Sequence, residues 1–146
     1  MATSNLLQRL DGETLYGESA SNRRTIEEFV ANGTIALGDV VAFDTSKTGA
    51  DRVLYITRAA IVALGNGLAV GVSLDAVTAG DRCRVVVSGY AGSVLSNGVV
   101  ALGDMLTAAP TALASVTTRV VADVGPAFAV ALEAGPDPAC WIYPRW

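Results

Sequence analysis

The chain has 146 residues, with 10 basic and 14 acidic side chains and no histidine. Hydrophobic residues make up 51% and charged residues 16%, against about 25% charged in an average globular domain. That composition excludes a disordered chain and a basic nucleic-acid binder, and the missing imidazole excludes Ser-His-Asp and Cys-His relays and an HExxH zinc site.

Residues 1–24 are polar and turn-rich, with Asp11-Gly12, Tyr16-Gly17 and Ser19-Ala20-Ser21-Asn22. Leu6, Leu7 and Leu10 allow one short amphipathic turn, and residues 1–10 hold no apolar run of secretory length. The segment reads as an extended N-terminal arm with little core of its own. Its only adjacent basic pair, Arg23-Arg24, stands at the junction with the rest of the chain. The plain reading of that pair is a solvated one; the sharper reading is a contact for an acidic protein surface.

Next comes Thr25-Ile26-Glu27-Glu28-Phe29-Val30, where a capping-box start (Thr25, Glu28) and helical apolar spacing compete with an entry strand. Pattern alone leaves both open. From there the signals are β: residues 40–43, 53–56, 68–72 and 83–87 are short β-branched or aromatic runs bounded by glycine, aspartate or asparagine. The single lysine, Lys47, falls in a polar turn, and Gly65-Asn66-Gly67 reads as a hairpin turn because it lacks the third glycine of a dinucleotide loop. The long uncharged stretches 59–74 and 85–103 are broken by glycine, serine and asparagine, so they read as buried strands of a soluble protein.

Asp39, Asp44, Asp51, Asp75, Asp81, Asp104 and Asp123 lie mostly beside small residues in turns. A metal or glycosidase site would need such acids to converge in a cleft, and the turn reading is preferred. Cys83 and Cys140 lack metal-ligand spacing and are expected as buried apolar thiols, with a disulfide the lesser alternative. The C-terminal Trp141, Tyr143, Arg145 and Trp146 read either as a last strand over the core or as an interface hot spot.

An internal repeat runs through this β region. Asn32-Gly33-Thr34-Ile35-Ala36-Leu37-Gly38-Asp39 returns as Asn97-Gly98-Val99-Val100-Ala101-Leu102-Gly103-Asp104. Val72-Ser73-Leu74-Asp75-Ala76 is echoed by Val130-Ala131-Leu132-Glu133-Ala134, and Cys83 then aligns with Cys140. Three matches in one order predict two related lobes, over 32–90 and 97–146, the second with shorter loops. The expected fold is all-β: a small barrel or sandwich body at 25–146, with two related lobes, preceded by the arm at 1–24.

The order of Gly38-Asp39-Val40-Val41-Ala42, the run from Gly71 to Asp81, Val85-Val86-Val87-Ser88-Gly89 and Ala101-Leu102-Gly103-Asp104 resembles the capsid decoration (head-stabilising, or cement) proteins of tailed bacteriophages. The likeness covers residues 25–146. It implies a compact β body that forms a homotrimer on the outer surface of the phage head and stabilises contacts between major capsid protein subunits, after synthesis in the host cytoplasm. It supplies no catalytic residues. Candidate capsid contacts on the arm are Leu6, Leu7, Leu10, Tyr16, Arg23 and Arg24; the candidate trimer interface is Trp141, Tyr143, Arg145 and Trp146. No enzyme activity, cofactor, metal, nucleic acid or membrane partner is expected. The alternative is a receptor- or carbohydrate-binding module of a head fibre or tail, and a small paired-acid hydrolase is a third.

Overall fold

A computed structural model describes residues 23–59, 68–109, 112–120 and 127–144. The capping-box segment is a strand, β1 (Arg24–Ala31), so Arg24 already belongs to the β body rather than to the arm. The helical spacing loses because β1 finds a long antiparallel partner in β5 (Arg82–Ala91), paired from Arg24↔Gly89 to Val30↔Arg82 with one register shift between Thr25 and Ile26. Pairing over that length satisfies the backbone groups that a short isolated helix would leave open.

β2 (Val40–Phe43) falls where the apolar run predicts it, and the neighbouring runs become β4 (Ala69–Ser73) and the first half of β5. The run at 53–56 needs correction. Gly49–Val53 is a short 3-10 helix, the Leu54 N–H donates to Asp51 O, and β3 (Tyr55–Arg58) starts only afterwards. The hairpin turn expected at 65–67 lies outside the described residues. β1, β3, β2, β4 and β5 are neighbours in that order, and the β1–β5 ladder closes them into a barrel. Phe29, Ile35, Ile56, Val70, Cys83 and Val85 fill it.

The second lobe repeats much of the backbone bonding of the first. It holds β6 (Met105–Ala108), β7 (Val116–Thr118), β8 (Ala129–Ala131) and β9 (Cys140–Ile142). Val40↔Val72 in the first lobe is matched by Met105↔Val130 in the second, and Val41↔Arg58 by Leu106↔Thr118. The Gly38 N–H donates to Ser73 O, as the Gly103 N–H does to Ala131 O. The reciprocal bonds of Ile35 with Val77 recur between Val100 and Gly135. One expected match shifts. Ser73 pairs with Val85 and Ala131 with Cys140, so Val85 is the backbone counterpart of Cys140, and the two cysteines are not equivalent.

The repeat also begins earlier than residue 97. Beyond Gly89, β5 leaves β4 and pairs with β9 (Gly89↔Ile142, Tyr90↔Trp141, Ala91↔Cys140), while Ser96 makes a parallel bridge to Val116 as Ala31 does to Ile56. The tail of β5 thus performs for the second lobe the service β1 performs for the first. One strand is common to both lobes.

That sharing depends on Gly89. Its φ is +89°, and a Cβ there would stand 2.1 Å from Arg23 O and 2.8 Å from Arg24 Cα. Gly103 has a similar φ of +85° but nothing within 4 Å among the described residues. Gly103→Ala therefore costs only left-handed strain, about 1–2 kcal/mol, and Gly89→Ala adds a backbone clash of about 1–3 kcal/mol more. Urea unfolding of both variants checks this: Gly89→Ala should have the clearly lower midpoint.

Candidate functional site

Alternation along each strand sends one row of side chains into a barrel and the next row out. On the outer face of the first lobe, Val40, Val72, Val86 and Ile26 stand in register across β2, β4, β5 and β1. Val40, Val72 and Val86 are buried, because they join a core cluster with Val94, Val116, Phe128 and Ile142 of the second lobe. The Gly38 and Ala59 carbonyls accept from Leu95 N and Ala114 N, which stitches the lobes together at the same place. The outer face of one barrel is thus part of the core of the molecule.

The counterpart row on the second lobe is Met105, Val130, Trp141 and Tyr90, in register across β6, β8, β9 and β5. Met105 is 48% exposed where Val40 is 0%, and Val130, Trp141 and Tyr90 are half-buried. Exposed Arg119 takes the place of buried Ala59. The surface combines Trp, Tyr, Met and Arg, the residue types enriched where proteins meet.

The start of β1 arrives beside this row. Arg24 pairs with Gly89, Gly89 with Ile142, and Tyr90 with Trp141, so β5 brings the junction predicted for capsid contact next to the aromatic strand predicted for the trimer interface. Arg23 is exposed and Arg24 half-buried. Trp141 and Tyr143 are half-buried, and the Tyr143 N–H donates to Phe128 O at 2.8 Å. Leu6, Leu7, Leu10, Tyr16, Arg145 and Trp146 lie outside the described residues. The sequence reading missed Met105, Val130 and Tyr90. Placing Met105 opposite Val40 in the repeat was the available signal.

The aspartates act as turn formers. Asp39 and Asp104, at equivalent positions, each accept from the amide three residues earlier, Ala36 and Ala101, at 2.8 and 3.0 Å. Each also holds the equivalent residue of the neighbouring strand: Arg58 Nε stands 2.9 Å from Asp39 Oδ2 as a charge contact without hydrogen-bond alignment, and the Thr118 hydroxyl donates to Asp104 at 2.8 Å. Asp75 pairs with the Arg84 guanidinium and accepts from the Arg84 amide, as Glu133 accepts from Ala139. Asp81 accepts from Thr78 and Asp44 from Ser46. Asp51 lies in the 3-10 helix, and Asp123 lies outside the described residues. Among the described residues no group of three or more His, Cys, Asp or Glu could hold a metal. Lys47 places its ammonium 4.6 Å above the Tyr55 ring.

No protein-family model and no curated protein matches this chain.

These contacts set the acid response. The Arg84 side chain holds Asp75 below the usual carboxylate range, the bonds from Thr78 do the same for Asp81, and those from Ala101 and Thr118 for Asp104. Burial pushes Asp44 up, but the bonds from Ser46 and Asn32 and the Lys47 charge outweigh it and leave it lowered. Each depressed carboxyl contributes stability that is full above its unfolded pKa, about 3.9, and is lost as pH falls through the lower folded value. The urea midpoint should be level above about pH 5 and fall below about pH 4, and Asp75→Asn should flatten part of that fall.

Both cysteines are free and buried. Burial pushes the Cys83 thiol up, only partly opposed by the hydrogen bond it shares with the Ser73 hydroxyl, and burial with the Glu133 charge pushes Cys140 to about 12. Thiol titration with a disulfide reagent at pH 8 should find both silent in the native protein and both reactive in urea, a rate difference of about a thousandfold or more.

Proposed function

We propose that this protein is a non-enzymatic structural component of a phage virion: a homotrimeric decoration protein that binds the outer surface of the head and stabilises contacts between major capsid protein subunits. The observation that carries this reading is how the arm is rooted. Arg23 and Arg24 are clamped against Gly89 at the strand both lobes share, so tension on the arm passes into the centre of the body rather than into a loose terminus. Such a root suits a tether: several tethers on one body raise one another's effective concentration at a shared surface. The sequence resemblance to decoration proteins points the same way.

Removal of residues 1–22 leaves β1 intact and tests the proposal. The truncated protein should keep its fold and oligomeric state, and its binding to expanded heads in a sedimentation assay should fall by about a hundredfold or more. Undiminished binding would move the capsid contact into the body, and a full-length chain that ignores expanded heads would overturn the proposal.

A further inference from the structure

The internal repeat shows what covers an outer barrel face in this protein: another lobe of the same fold. Val40, Val72 and Val86 are covered by the second lobe at the seam between the tail of β5 and β7, around Leu95 and Ala114. The equivalent row on the second lobe, Met105, Val130 and Trp141, has no third lobe among the described residues to cover it. The glycines before the two rows report the same difference. A Cβ on Gly38 would meet Ser93 O of the other lobe at 3.3 Å, whereas one on Gly103 would meet nothing within 4 Å among the described residues.

The first lobe carries the equivalent of the covering seam. Leu95 and Ala114 correspond to Val30 and Leu54, which the paired bridges Ser96↔Val116 and Ala31↔Ile56 place in register. The Val30 N–H donates to Leu54 O there, so the seam is closed and presents a surface depression instead of a slot. That depression, about 250 Å³, is lined by Phe29, Val30 and Leu54 together with the ion-paired Glu28 and Arg82. Leu54 is 50% exposed. An apolar row and a largely apolar depression with a charged rim, each the counterpart of a surface already joined inside the chain, lie on different lobes of one molecule.

We propose that copies of this chain associate head to tail, the Met105–Val130–Trp141 row of one second lobe seating on the Phe29–Val30–Leu54 depression of the next copy's first lobe. The interface is heterologous, and such contacts form a ring where the rotation closes and a filament where it does not. Closure after three copies rests on the decoration-protein reading; the two surfaces do not.

The experiment uses the full chain and two variants at exposed positions, Met105→Asp on the row and Leu54→Asp in the depression. Sedimentation equilibrium should show the wild type assembled at micromolar concentration and each variant monomeric, with self-association weakened about a hundredfold. Circular dichroism should show both variants folded. Mixing the two variants is the decisive step, because each retains one intact surface: they should form a one-to-one heterodimer that grows no further. A monomeric wild type, an assembled Met105→Asp variant, or a Leu54→Asp variant that assembles like the wild type would each overturn the proposal, the last by showing row meeting row. Head binding measured on the same samples separates the two readings. Assembly that responds to the variants as described, without binding to heads, supports the interface and contradicts only the virion function.

Discussion

Everything in this molecule depends on one strand being long enough to belong both to the barrel and to the second lobe. β5 pairs with β1 and β4 over its first part and with β9 over its last, and the change of partner occurs where Gly89 lets the chain bend and lets the Arg23 backbone approach. A sheet edge that would otherwise be exposed is used as the first strand of the next unit. Buried apolar area then accumulates across the joint, because the outer face of the first barrel, Val40, Val72 and Val86, becomes one wall of a core shared with the second. Fusion at a common strand makes the lobes mechanically one body.

The repeat is conserved in backbone bonds more closely than in side chains. Asp39 and Asp104 make the same turn and face the same neighbouring strand position, yet one meets Arg58 and the other Thr118. Val40 and Met105 occupy the same register position with opposite exposure. Divergence is thus concentrated where the two lobes differ in surroundings, and it leaves an apolar row beside the root of the arm.

Local chemistry made part of this legible. The run Val40-Val41-Ala42-Phe43, β-branched and bounded by Asp39 and Asp44, could scarcely be anything but a strand, and the two Leu-Gly-Asp steps announced the repeat. Burial of the free cysteines followed from their small apolar character and from spacing unsuited to metal. Other features depend on partners distant in sequence. Thr25 to Val30 is strand because of β5, which no local pattern reports. Val53 and Leu54 look like strand residues, but the Asp51 carbonyl captures the Leu54 amide and delays β3. The cysteines seemed matched because identical residues attract alignment, while ladder register pairs Cys140 with the position of Val85. The open row was the least legible of all, since its exposure is decided by packing between lobes.

Native-state hydrogen exchange tests the shared strand most directly. If both lobes hang on β5, the amides of Val85, Val87 and Ala91 are the slowest in the protein and exchange only through global opening, with the same free energy that urea unfolding gives. If amides of the second lobe, those of Leu106 and Val130 among them, exchange together through a separate opening of lower free energy while the first lobe stays closed, the lobes are independent units and the account fails.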